Sequence, residues 1–172
     1  MLKSTFSLLV LLVIVQTTLA QIPDDVKAAF EPLVGHTWAT EGTWGSGDVF
    51  KQRATYRWGL NGKIVQVSTW GNIAEEGYEE GLRNEGIRAW DNSTESVRFW
   101  EYDVFGNVST GDVHAEGRNI YYSYPYDTGE GMMTITDAYI YEAEDKYLLK
   151  IGVYTEGTWE QVFLEGKVLR VD

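Results

Sequence analysis

The sequence predicts an all-β chain: a single antiparallel up-and-down β-barrel of about ten strands with one short N-terminal helix. Three observations carry this expectation. Turn signals recur about every ten to fifteen residues along most of the chain. The runs between them are rich in Val, Ile, Tyr, Trp and Thr, residues that suit a pleated, half-buried surface. Only one segment has helical character. A flat meander of that width would twist strongly and expose two edges, and closure removes both.

The elements follow in order. Residues 1–20 read as a cleaved secretory signal, with Lys3 as the positive region, an apolar run from Phe6 to Val15, and Thr18-Leu19-Ala20 placing small residues before the cut. The run is shorter than the roughly 20 residues a membrane-spanning helix needs. Residues 21–172 then form one domain, with secretion or a periplasm as its location. The helix is expected over 23–33: Pro23 stands at its start, Asp24 and Asp25 suit its positive end, Val26, Ala29 and Phe30 share one side, and Pro32 limits it. Strands are expected near 36–44, 49–60, 63–71, 82–91, 96–104, 110–116, 119–125, 132–142, 147–155 and 158–170. Loops are expected at 72–81, which is acidic and glycine-bearing, and at 124–131.

Composition narrows the partners. The processed chain carries 26 acidic and 13 basic residues, a net charge of −13. That disfavours nucleic acid and anionic membrane surfaces, whose binding rests on Lys and Arg, and no segment suggests membrane insertion. With no cysteine, a secreted chain must be held by its core alone. Asn92 and Asn107 begin glycosylation sequons on expected turns.

Registers assign faces. A two-residue Asn61-Gly62 hairpin sets Trp58 opposite Val65, Tyr56 opposite Val67 and Ala54 opposite Thr69, the apolar and therefore inward face. For the next hairpin, letting Ala89 and Val97 share a face places Ile87, Ala89, Val97 and Phe99 inside with Glu85 and Glu101. Arg88, Trp90, Arg98, Trp100 and Tyr102 then form an outer ladder. The same bookkeeping turns Tyr122, Asp137 and Tyr139 inward, and around the Glu156-Gly157 turn it turns Glu160 inward with Ile151 and Val153. The candidate ligand-binding lumen is therefore Tyr56, Trp58, Glu85, Phe99, Glu101, Tyr122, Asp137, Tyr139 and Glu160. It would suit a small, mostly hydrophobic molecule with a neutral or cationic polar group, because carboxylates there need partners, water or a cation.

Chemistry beyond binding has little support. The two histidines, His36 and His114, lie far apart, so no zinc spacing exists. No phosphate-cradling glycine loop or nucleophile elbow is present, and no cofactor is implied. Two alternatives stay open: a hydrolase or isomerase acting through lumen carboxylates such as a Glu85–Glu101 pair, and a ligand-free interaction module using the outer Arg–Trp face.

The motif "LVGHTW", residues 33–38, followed by Gly42 and Trp44, resembles the opening of calycin-type barrels, where a Gly and a Trp near the first strand close the barrel base. The spacing Gly35-x-x-Trp38 departs from the Gly-x-Trp of lipocalins proper. With "NEGIRAWD", "FWEYDVFG" and "NIYYSY", most of the processed chain is similar to secreted, lipocalin-like bacterial proteins of the DUF1579 type. The resemblance implies a β-barrel and fixes no activity. Nitrobindin-like haem barrels also begin with Gly and Trp repeats, but they carry a haem-ligating His towards the C-terminus, and no His follows His114 here.

Overall fold

Ten strands close on themselves in the computed structural model, which describes residues 21–172. The expected signal segment, 1–20, lies outside the described residues. The order is α1 (Asp24–Phe30), β1 (Thr37–Trp44), β2 (Val49–Gly59), β3 (Ile64–Asn72), β4 (Glu80–Asp91), β5 (Ser96–Asp103), β6 (Val108–Glu116), β7 (Asn119–Asp127), β8 (Met132–Ala143), β9 (Lys146–Thr155) and β10 (Thr158–Arg170). Each strand pairs antiparallel with its sequence neighbours, and β1 pairs with both β2 and β10 to complete the ring.

The closing seam depends on two glycines. Gly42 and Gly166 face each other across β1 and β10. A Cβ on Gly42 would stand 2.7 Å from the Glu165 carbonyl oxygen, and one on Gly166 2.7 Å from that of Glu41. Both clashes are with backbone, so the strands approach this closely only without side chains there.

Helix α1 covers one end. Val26, Ala29 and Phe30 are its buried face, and they pack with Ile22 and Leu33 into the core. It is shorter than the expected 23–33, because the residues from Glu31 turn towards β1. Trp38, at the start of β1, is fully buried beneath it. Its indole N–H donates to the Leu33 carbonyl at 3.1 Å, and its ring meets Tyr147 edge-on at 5.3 Å. Trp44, paired with it in the calycin-like motif, instead lies at the opposite end, against Phe50. No described helix is long and apolar enough to cross a membrane.

Two registers depart from expectation, and one turn does. The β2–β3 pairs are as expected, but the connection spans four residues, with Leu60, Asn61 and Gly62 all at positive φ. Between β4 and β5 the pairs are Trp90 with Val97, Arg88 with Phe99 and Gly86 with Glu101. Arg88 and Trp90 therefore point inward, and Glu85, Ile87 and Ala89 outward. The cause is a four-residue connection, 92–95, fixed by the Asp91 carboxylate, which accepts from the Ser93 backbone N–H at 2.8 Å. A one-residue difference in loop length exchanges the faces of the whole strand. In β10, irregularities at Glu160 and Phe163 break the alternation, so Leu164 rather than Val162 pairs with Ile151.

Candidate functional site

At the end opposite α1 the lumen holds a cavity of about 300 Å³. Its wall is built from alternate residues of several strands: Gln52 and Tyr56 on β2, Val67 and Thr69 on β3, Phe99, Glu101 and Asp103 on β5, Tyr122 and Tyr124 on β7, Asp137 and Tyr139 on β8, and Leu149 and Ile151 on β9. Arg88 and Asn84 complete it from β4, and a bulge at Arg83 brings that side chain to the rim as well. A second, more apolar chamber of about 440 Å³ shares Trp44, Tyr124 and Ile151 with the first. It adds Tyr126, Met133, Ile135 and Phe163 at the mouth.

The rings pack on one another edge-on. Phe99 lies 5.6 Å from Tyr122 and 5.9 Å from Tyr124, and Tyr122 lies 6.0 Å from Tyr139. Such edge-to-face pairs are the favoured aromatic geometry.

Arg88 is the central polar group. Its Nη2 donates to Glu101 Oε2 at 2.8 Å, and its guanidinium carbon sits 5.0 Å from the Tyr122 ring and 5.6 Å from that of Phe99. Gly86 makes the room: a Cβ there would come 2.9 Å from Arg88 Nη1. Burial works against the charge on Arg88, but Tyr122 and Glu101 outweigh it and hold the group protonated. Arg88 Nε and Nη1 and the Tyr122 hydroxyl are buried and have no hydrogen-bond partner among the described residues. An unsatisfied buried donor costs about 1–3 kcal/mol.

Asp137 differs from Glu101. It accepts from the Tyr124 hydroxyl at 3.1 Å and makes no ion pair among the described residues. Burial pushes its carboxyl up to about 7, and the Glu101 charge adds to this while Tyr124 and Arg88 oppose it. Burial likewise raises Tyr56, Tyr122, Tyr124 and Tyr139 above the ordinary phenol value, so these hydroxyls stay neutral.

Of the nine residues singled out from the sequence, Tyr56, Phe99, Glu101, Tyr122, Asp137 and Tyr139 line the inner cavity. Three do not. Trp58 points inward but at the closed end, packed on the core with the Lys27 ammonium 5.7 Å from its ring. Glu85 lies on the outer surface and accepts from Ser68 Oγ at 3.2 Å. Glu160 sits at the β10 irregularity, exposed. The Glu85–Glu101 pair is therefore absent, its members being on opposite faces of the sheet. The outer ladder keeps Arg98, Trp100 and Tyr102 but loses Arg88 and Trp90. Sequence reasoning missed Arg88, Asn84, Tyr124 and Asp103; the turn-forming Asp91-x-Ser93 was the available signal for the first. Asn92 and Asn107 are both exposed. Among the described residues no cluster of three or more His, Asp or Glu side chains is arranged to hold a metal.

The chain matches no protein-family model and no curated protein. Solved structures do resemble it. Rv2717c from M. tuberculosis aligns with a TM-score of 0.53 at 11% identity, over 88% of this chain and 100% of that one. The S-type phycobiliprotein lyase CPES from Guillardia theta aligns with a TM-score of 0.49 at 11% identity, over 86% and 93%. A redesigned β-barrel aligns with a TM-score of 0.45 at 14% identity, over 85% and 96%. At such identities the likeness concerns the fold: a small closed β-barrel.

Proposed function

We propose that this barrel is an exported, lipocalin-like protein of the DUF1579 type that binds or carries a small, mostly hydrophobic molecule in its lumen. The observation that carries the reading is the pair of adjoining chambers at the end not covered by α1. A barrel that merely packs its interior has no use for an opening of this size. The apolar outer chamber suits the body of a ligand, and the ring-walled inner one suits a polar group. Export is supported by the N-terminal apolar segment.

The test is a fluorescence titration with Nile red, a neutral dye that brightens in apolar surroundings. Ser109 is exposed and lines the inner cavity, so Ser109→Trp should block the lumen without disturbing the core. Saturable binding to the native protein that Ser109→Trp abolishes is the expected result. Equal binding to both proteins refutes lumen binding.

A further inference from the structure

Resting on the lumen-binding reading, we propose that the polar group recognised at the cavity wall is a protonated amine, held by the Asp137 carboxylate within the rings of Tyr56, Phe99, Tyr122 and Tyr139.

The charge count inside the cavity points this way. Three carboxylates line it, Glu101, Asp103 and Asp137, against the guanidiniums of Arg83 and Arg88. Arg88 is committed to Glu101. Arg83 donates to the Asn72 carbonyl at 3.0 Å, lies over the Phe105 ring at 5.6 Å and acts on Asp103. Asp137 is the carboxylate left without a cation. It is only partly covered by protein, so its oxygens border the cavity, whereas Arg88 Nε and Nη1 are shut off from it. An incoming anion would face the carboxylates of Asp137 and Glu101, while the Arg88 guanidinium is already engaged by Glu101. Once Asp137 has lost its proton, a neutral group would leave its charge uncompensated. An ammonium group meets an opposite charge and a wall of aromatic rings, the combination that stabilises a desolvated cation. The apolar remainder of such an amine would extend past Tyr124 towards Ile135, Met133 and Phe163.

Three probes that share a phenethyl body test this by calorimetry at neutral pH: phenethylamine, phenethyl alcohol and hydrocinnamate. The amine should bind at least about tenfold more tightly than the alcohol, and the acid most weakly. Asp137→Asn should bring the amine down to the affinity of the alcohol while the alcohol is unchanged. Tyr124→Phe keeps the charge and should keep the preference for the amine. Binding should also strengthen between about pH 6 and pH 8, as Asp137 loses its proton, and Asp137→Asn should abolish that dependence. Of the other groups facing Asp137, the phenols of Tyr56, Tyr122, Tyr124 and Tyr139 stay neutral in this window, and Glu101 forms its ion pair with Arg88. Nile red binding to each variant reports that its lumen is intact. If the alcohol or acid matches the amine while the dye still binds, or if the amine preference survives Asp137→Asn, the amine assignment falls and lumen binding stands. If neither the dye nor any probe binds, both fall.

Discussion

Replacing Asp137 by Asn should make the protein more stable at neutral and alkaline pH, and by an amount that grows with pH. The carboxyl stands at about 7 in the folded protein against an ordinary 3.8, a rise of about three units. At about 1.4 kcal/mol per unit this gives up to about 4 kcal/mol, an upper bound because the group borders the lumen. The sign follows from where the proton sits. Between about pH 4 and pH 7 the folded chain keeps a proton that the unfolded chain has lost. The contribution is thus complete below about pH 4 and is lost as pH rises through about 7. Asn removes the titration and can still accept from Tyr124. Other carboxylates run the opposite way. Hydrogen bonds from Ser93 lower Asp91, and those from Asn107 and from Thr37 and His36 outweigh burial to lower Asp103 and Asp172. Their stabilisation is present above the unfolded value and is lost in acid. Taking the difference between variant and native protein cancels them. Urea unfolding followed by tryptophan fluorescence at several values between about pH 4 and pH 8.5 gives that difference. It should be small at the acid end and rise to a few kcal/mol by about pH 8. A difference that stays flat across the range refutes the account of Asp137.

Three further perturbations probe the framework around it. Arg88→Met leaves Glu101 uncompensated in the lumen and should cost about 3–5 kcal/mol in urea unfolding, whereas Arg88→Met with Glu101→Met should recover most of the loss. Trp38→Ala removes a fully buried ring and its bond to the Leu33 carbonyl, so about 3–5 kcal/mol should be lost and the melting temperature should fall accordingly. Gly166→Ala forces a Cβ against the Glu41 carbonyl, and hydrogen exchange should show lost amide protection in β1 and β10 while β5 and β6 keep theirs.

The strands were legible because period and punctuation agree. Alternating Tyr, Val and Trp between Gly- and Asn-bearing turns place each of the ten strands within about two residues of its bounds. Closure followed from the cost of edges. The aromatic half of the cavity was legible for the same reason, since Tyr56 and Tyr122 lie on strands whose apolar alternation leaves one choice of face. Glu85, Arg88 and Glu160 were not, because their strands carry large apolar groups on both faces. There the alternation does not name an interior, and a single loop residue or bulge decides it.

That parity also sets the electrostatics of the lumen. With Glu85 turned inward and Arg88 outward, the cavity would hold Glu85, Glu101 and Asp137 without the Arg88 guanidinium among them, an unfavourable gathering of like charges. The four-residue turn after Asp91 instead brings Arg88 opposite Phe99, two pairs along from Glu101 and on the same face. Glu101 is neutralised, and Asp137 alone is left to set how charge is received. The geometry of an exposed turn, through the Asp91–Ser93 hydrogen bond, thus selects which ionisable side chain the interior contains. The absence of a side chain at Gly86 then makes the pairing sterically permissible, since a Cβ there would collide with the Trp100 carbonyl oxygen as well as stand 2.9 Å from Arg88 Nη1. Sequence position alone would have put an acid where the fold puts a base, and the sign of the proposed ligand's charge depends on that difference.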